Sequence, residues 1–247
     1  MAGQWQNFLQ NLGHWRGSFT GISPEGVLLG DTPSLLTLEA GEQGADGAVT
    51  MVRFGLQRFA SADSDVSPST DLRQEYRSLG RQVVFFETGT FCKGSLQLAP
   101  STVFGGEFGF IHGDRRHRLV LLYREDGSRD QLVLIREFRQ GSTAVECPPL
   151  TAEQLQGAWR GRRATITADW PEPEESAVEL DVAASELAEL QWLPDGGYVR
   201  WPRQVSHRQP FSIEGGWLTA PDRLERLIRH YDGSGAWLSV SHDVFSR

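Results

Sequence analysis

The chain has 247 residues, of which 39% are hydrophobic and 23% charged, and its formal net charge is −8. This length is sufficient for two small domains that each bury a hydrophobic core. The acidic balance argues against a nucleic-acid partner, and no run of about 18 apolar residues predicts a membrane span. The opening residues lack the features of a secretory signal, and two cysteines without a disulfide or metal spacing favour a reduced, cytoplasmic compartment.

The first half of the chain begins with a short helical pattern and continues as strands. Trp5, Phe8 and Leu12 recur on one side of residues 4–12. The motif G-x-W-R-G follows at residues 13–17. Alternating apolar residues, separated by Gly, Pro, Asp and Ser clusters, then predict strands at residues 15–22, 34–40, 49–59, 82–90 and 102–111, and a hairpin around Asp126-Gly127-Ser128.

The same order of patterns recurs after residues 147–149, a Cys-Pro-Pro stretch that cannot continue a central strand. Thr151 and Gln154 have the spacing of a helix capping box. The motif G-x-W-R-G returns at residues 157–161, short strand-like segments follow, and a last hairpin surrounds Asp232-Gly233-Ser234.

Two copies of one strand order predict an all-β fold of two tandem antiparallel barrels, each preceded by a short helix. We place the first barrel at residues 1–146, the first half, and the second at residues 150–247, the second half. Because the second half is shorter, we expect a reduced barrel there, closed or partly open.

A short helix followed by G-x-W on the first strand resembles the calycins, which are the lipocalins and their relatives. Residues 4–40, with turns at Ser23-Pro24-Glu25-Gly26 and Asp31-Thr32-Pro33-Ser34, more narrowly resemble an uncharacterised calycin-like family of cyanobacteria and plastid-bearing eukaryotes. The resemblance implies a photosynthetic host, and in a eukaryote the plastid stroma. Wider relatives of that family include lipocalin-shaped phycobiliprotein lyases, which hold a linear tetrapyrrole and deliver it to a cysteine of a phycobiliprotein.

In calycins the tryptophan of G-x-W closes one end of the barrel beneath an arginine from the last strand, a contact that we call the latch. Strand alternation places Arg136 on the last predicted strand of the first half, and His242 at the matching place in the second. The resemblance therefore implies a structural latch of Arg136 over Trp15 through a cation–π contact. His242 beside Trp159 departs from the calycin pattern.

Aromatic residues interrupted by a few charges favour a binding cavity inside the first barrel. Six of the eight tryptophans lie in the second half, so we expect a packed interior there and a surface for a protein partner. Phe86 is expected to face the second barrel. The candidate ligand-binding residues of the first half are Arg53, Phe85, Glu87, Phe104, Phe108, Tyr123 and Arg136.

Three functions are consistent with the sequence, which contains no catalytic or metal-binding motif. The first is a carrier of a small apolar or amphipathic ligand, such as a tetrapyrrole, a carotenoid fragment or a fatty-acid derivative. The second is a bilin lyase or isomerase that positions its ligand, using Glu87 with Arg53 or Arg136. The third is an assembly or interaction protein with filled barrels. A tetrapyrrole is the one cofactor that the resemblance suggests.

Overall fold

A computed structural model describes residues 3–61 and 67–247, and its first half forms one antiparallel sheet after helix α1 (Gln4–Leu9). The sheet order is β4-β3-β2-β1-β9-β8-β7-β6-β5, and the sheet curls into a half-barrel that is open between β4 and β5. The strands are β1 (Gly13–Ile22), β2 (Leu28–Ala40), β3 (Val52–Arg58), β4 (Thr70–Tyr76), β5 (Val83–Phe85), β6 (Phe91–Gly94), β7 (Phe104–His112), β8 (Arg115–Tyr123) and β9 (Arg129–Arg139).

The second half forms a smaller antiparallel sheet in the order β11-β10-β16-β15-β14-β13-β12. It also begins with a short helix, whose start is fixed by a hydrogen bond from the Thr151 amide to the Gln154 side chain (3.0 Å). Its elements are α2 (Ala152–Leu155), β10 (Gly157–Thr167), β11 (Glu174–Val182), α3 (Ala184–Leu187), β12 (Gln191–Trp192), β13 (Gly197–Arg200), β14 (Phe211–Ala220), β15 (Arg223–Tyr231) and β16 (Trp237–Ser246). The predicted all-β fold, with a helix before each sheet and a smaller second sheet, is confirmed.

The strand predicted at residues 82–90 is interrupted by a turn. The Phe86 amide donates to the Thr90 carbonyl (2.8 Å), so that Phe85 pairs with Phe91 across β5 and β6. Gly89 has a φ of +88°, and a Cβ at this residue would lie 2.7 Å from the Cβ of Gln10. Glu87 therefore lies on an exposed turn and not on a strand beside Phe85.

The part of the chain that the structure describes contains three apolar clusters. One lies inside the first sheet and includes Phe8, Trp15 and Phe85, and a second lies inside the second sheet and includes Trp159 and Tyr198. The largest cluster lies between the two sheets, where both halves contribute fully buried side chains. The strands β7, β8, β14 and β15 are therefore covered on both faces: one face packs on the opposite half and is buried, and the other lines an interior and is buried or half-buried.

Phe104, Phe108 and Tyr123 belong to the cluster between the sheets and not to the interior of the first barrel. The two-residue alternation of β7 and β8 directs Glu107 and Arg118 inward, and these aromatic residues consequently face outward, toward the second half. This placement corrects the interior position that the sequence predicted for them.

Aromatic contacts join the halves. Phe104 makes edge contacts with Phe211 and Tyr231, with ring centres 5.4 and 5.0 Å apart. Phe86 lies 5.1 Å from the His242 ring, which confirms the expectation that Phe86 faces the second half.

The two halves also contact each other reciprocally through their hairpins. The turn before β9 bridges to a loop of the second half through Ser128 and Gln204, and the turn before β16 bridges to a loop of the first half through Gln97 and Ala236. Such mutual contacts are typical of an interface between two similar subunits, formed here within one chain.

Glycines allow the sheets to approach closely. A Cβ at Gly106 would lie 2.5 Å from the Ile213 Cδ1 atom, and one at Gly215 would lie 2.9 Å from Leu119 and Phe108. Gly106 of β7 and Gly215 of β14 are thus required by the packing of one half on the other.

Within the described residues no helix is long and apolar enough to span a bilayer. The largest helix named above, α1, has six residues.

We expect Phe104→Ala to lower the free energy of unfolding by about 3 to 5 kcal/mol, because it opens a cavity in the core that both halves share. Val103→Ala, at a neighbouring side chain that is 65% exposed, is the matched control and should cost less than about 0.5 kcal/mol. Urea unfolding followed by tryptophan fluorescence and circular dichroism measures both variants. Equal stabilities, or two separate transitions in the wild-type protein, would contradict a shared core.

Candidate ligand-binding site

The G-x-W tryptophan of the first half lies in the apolar cluster inside its sheet. Trp15 is fully buried, and its indole N–H donates to the Asn11 carbonyl (3.0 Å). The guanidinium carbon of Arg139 lies 4.3 Å from the centre of the Trp15 ring, and that of Arg116 lies 5.2 Å away. Cations at these distances are attracted to the electron-rich ring faces.

Arg139, and not Arg136, therefore forms the latch over Trp15. The register of β1 and β9 places Trp15 opposite Arg139. Since Arg136 is an odd number of residues away, its side chain points to the other face of the sheet, where it donates to the Thr20 hydroxyl (2.6 Å) and pairs with Asp31 and Glu146.

The second half has the same latch at its C-terminal end. The Trp159 indole N–H donates to the Leu155 carbonyl (2.8 Å), and the Arg247 guanidinium carbon lies 3.9 Å from the ring centre. His242, which the sequence placed beside Trp159, is directed to the opposite face because it is five residues from Arg247 in an extended strand. There its Nε2 atom lies 3.0 Å from a Glu225 carboxylate oxygen.

A cavity of about 310 Å³ lies inside the first sheet. Its exposed lining residues come from the segment that joins the edge strands β4 and β5, and from Lys93, so the cavity opens on this side. Its apolar wall consists of Phe8, Leu36, Leu38, Phe54, Tyr76, Leu79, Val83, Phe85 and Phe91.

Four charged groups form the polar wall of the cavity and the layer behind it. Arg118 donates to one Glu107 oxygen through Nε (2.9 Å) and Nη2 (2.7 Å), and to Glu137 through Nη1 (3.1 Å). Arg116 Nη1 lies 3.1 Å from the second Glu137 oxygen. Glu107, Arg116 and Arg118 line the cavity, and Glu137 is fully buried.

Arg116 is the least satisfied of these groups. Its side chain is 4% exposed, and its Nε and Nη1 atoms have no hydrogen-bond partner among the described residues, because the Glu137 carboxylate is close but not aligned. Burial is the largest influence on this residue and lowers the pKa of Arg116 to about 10, against the opposing charge of Glu137. Burial also acts to lower the pKa of Arg118, but the contacts with Glu107 and Glu137 outweigh it and raise that pKa.

Among the seven candidate ligand-binding residues, Phe85 lines the cavity. Arg53 is exposed on β3, and Arg136 lines a groove on the outer face of the sheet. Glu87 lines a separate cleft of about 180 Å³ together with His242. The structure therefore does not bring Glu87 together with Arg53 or Arg136, as the lyase-like hypothesis required.

The charged wall of the cavity is not among the site residues that the sequence predicts. Arg116 and Arg118 alternate with His117 and Leu119 on β8, and this alternation of arginine with buried residues was the available signal. The Asp-Arg-Arg sequence at residues 114–116 resembles a solvated hairpin tip, yet only Gly113 and Asp114 form the turn.

The interior of the second sheet is occupied by side chains. The Tyr198 ring lies against Gly216, where a Cβ would be sterically excluded, and the Tyr198 hydroxyl donates to Glu214 (3.0 Å). Leu187 of α3 and Leu190 complete the apolar cluster around Trp159.

Neither cysteine offers an attachment point in this cavity. Cys92 is buried between the sheets, where burial raises the pKa of its thiol, and Cys147 lies in the linker. In the described part of the chain no group of three His, Cys, Asp or Glu residues could hold a metal ion.

Comparisons with known proteins identify related sequences and structures. The N-terminal "Domain of unknown function (DUF3598)" matches residues 1–142, and the C-terminal domain of "Biogenesis factor required for ATP synthase 1" matches residues 146–191 and 184–245. The crystal structure of a DUF3598 protein of unknown function from Nostoc punctiforme is 35% identical, covers 100% of both chains and has a TM-score of 0.87. A search of curated proteins found no match.

Two further solved structures show much weaker likeness. The S-type phycobiliprotein lyase CPES from Guillardia theta is 14% identical, with a TM-score of 0.36 over 57% of this chain and 95% of its own. Kievitone hydratase from Nectria haematococca is 7% identical, with a TM-score of 0.25 over 100% of this chain and 93% of its own. Likeness of this degree carries no conclusion about activity.

We expect Arg139→Gln to lower the free energy of unfolding by about 1 to 2 kcal/mol, because it removes the cation over Trp15 and the hydrogen bond to the Leu12 carbonyl. Arg53→Gln, on the exposed face of β3, should change it by less than about 0.5 kcal/mol. Urea titration with tryptophan fluorescence compares the two. Equal effects would show that the latch does not stabilise the sheet.

Proposed function

The chain belongs to the DUF3598 family, and we propose that its first half binds a small apolar or amphipathic molecule inside the curled sheet. The observation that carries this proposal is the cavity of about 310 Å³, which has an aromatic wall and a buried charged group. Ligand sites have this combination of an apolar lining and a few fixed polar groups, with volumes of roughly 300 to 1,000 Å³. In this proposal residues 1–146 are the ligand-binding unit.

The filled interior of the second half supports a ligand role for the cavity. Both sheets have a latched tryptophan and a short helix at the same end, but in the second half α3 and the residues around it occupy the interior. A curled sheet of this kind therefore does not require a cavity, because the second sheet of the same chain has an interior filled by side chains.

The size of the cavity limits the ligand class. A volume near the lower end of the range for binding sites suits a medium-chain fatty acid or a carotenoid fragment. A tetrapyrrole would have to extend out of the opening between β4 and β5, so we rank it below the smaller ligands.

Binding without turnover fits the wall chemistry better than an enzyme that positions its ligand. Glu107 is the carboxylate that lines the cavity, and two hydrogen bonds from Arg118 hold one of its oxygens. That oxygen already accepts two charge-assisted hydrogen bonds, and among the described residues no second carboxylate lines the cavity beside it. Glu87, the acid of the lyase-like hypothesis, lies outside the cavity.

The neutral fluorescent probe N-phenyl-1-naphthylamine tests the proposal. We expect saturable binding by the wild-type protein, and Val83→Trp should weaken it about tenfold or more because the indole occupies the cavity. Val103→Trp, on an exposed surface, is the matched control and should bind as the wild type does. Absence of binding, or equal binding by both variants, would contradict the proposal.

We propose, as a second candidate function, that the second half docks on a subunit or an assembly intermediate of ATP synthase. The match of residues 146–191 and 184–245 to a biogenesis factor required for ATP synthase favours this reading. The second half also presents an edge strand, β11, whose residues are mostly exposed, and Trp170, which is 62% exposed. Exposed tryptophans are frequent anchors of protein interfaces.

Deletion of the gene in its host should lower the amount of assembled ATP synthase on native gels, if the second candidate is correct. Wild-type protein and the cavity variant Val83→Trp should restore it, and Trp170→Ser should not. Leu72→Ser, at another exposed apolar residue, serves as the surface control. Normal ATP synthase after deletion, or full rescue by Trp170→Ser, would contradict docking through this surface.

A further inference from the structure

The two halves differ at one matched pair of residues beneath the latch. In the first half Arg116 of β8 lies opposite Glu137 of β9. Glu137 is two residues before the latch residue Arg139. At the same place in the second half Leu224 lies opposite Phe245, two residues before Arg247. A sheet of this architecture therefore forms with an apolar pair at this position, and the charged pair occurs in the first half only.

The charged pair is also an incomplete one. A buried ion pair offsets its loss of hydration only when its geometry is good and its remaining donors are satisfied. Arg116 Nε and Nη1 and Glu137 Oε2 all lack hydrogen-bond partners among the described residues. An apolar pair like that of the second half would avoid this cost, so stability alone does not account for Arg116.

The charge of the lining favours an anion. Three cations, Lys93, Arg116 and Arg118, line the cavity against one carboxylate, Glu107, in a chain with a net charge of −8. Arg118 is occupied by Glu107 and Glu137, and Lys93 is exposed. Among the described cations of the lining, Arg116 is thus the buried one whose guanidinium is incompletely hydrogen-bonded. Its planar guanidinium suits a carboxylate better than an ammonium group would.

We propose that the ligand of this cavity is an amphipathic acid whose carboxylate binds Arg116, while its apolar part contacts the aromatic wall. This inference rests on the proposed ligand-binding function and names the chemical class of the ligand. The carboxylate lies at the buried wall beside Trp15, and the chain of the acid extends toward the exposed rim at Lys93.

Displacement of N-phenyl-1-naphthylamine by decanoic acid, decan-1-ol and decanamide at neutral pH tests the inference. We expect the acid to bind about ten- to a hundredfold more tightly than the alcohol or the amide, as a charge-assisted hydrogen bond predicts. In the double variant Arg116→Leu/Glu137→Phe, which copies the apolar pair of the second half and keeps the net charge, this preference should disappear while the affinity for the alcohol stays the same.

Two further variants keep the test decisive. Arg116→Lys retains the charge without the planar fork, and it should lose most of the preference for the acid even if the double variant does not fold. Arg53→Gln removes an exposed cation of β3 that does not line the cavity, and it should change the preference less than about threefold.

The outcomes separate the two proposals. If neither the probe nor any of the three compounds binds, ligand binding itself is wrong. If the probe and the alcohol bind but the acid has no advantage, or if Arg116→Lys keeps the full advantage, the assignment of an acidic ligand to Arg116 is overturned and the binding function stands.

Discussion

The covering of β7 and β8 on both faces is the constraint on which the rest of this structure depends. Residues at alternate positions of these strands must satisfy two environments, the core shared with the second half and the interior of the first sheet. The shared core takes the large aromatic and aliphatic residues, including Phe104, Phe108 and Tyr123. The interior receives Glu107, Arg116 and Arg118, and it is this division that places charge in the cavity.

The sequence could predict the architecture but not which face of a strand is inside. The helix, the G-x-W motif and the Asp-Gly turns are local signals, and each of them occurs in the structure as expected. The inward face is decided by what covers the outward one, and a strand with apolar residues at alternate positions does not reveal this when both faces are buried. Phe104 was therefore assigned to the wrong face, whereas Phe86 was assigned correctly because its neighbour Phe85 already filled the interior.

The latch shows how a small error in register changes a functional assignment. Arg136 and Arg139 both lie on β9, and either would suit a cation–π contact with Trp15 by residue type. Because the two arginines are three residues apart, their side chains lie on opposite faces of the sheet. Which arginine covers Trp15 therefore depends on how β9 pairs with β1, and no local sequence pattern specifies that register. The candidate site is affected in the same way, since Glu87 is expected on a strand that in fact ends at Phe85, before the turn that contains Gly89.

The comparison within one chain is the strongest argument for a role of the charged wall. The two halves have the same latch and reciprocal contacts, so differences between them are not explained by different architectures. In the second half both oxygens of the interior Asp243 carboxylate accept hydrogen bonds, which Arg163 and Arg226 donate. In the first half the pairing is left incomplete at Arg116, next to an open cavity. A buried guanidinium with free donors beside apolar space is the arrangement expected where a ligand, and not the fold, supplies the missing partner.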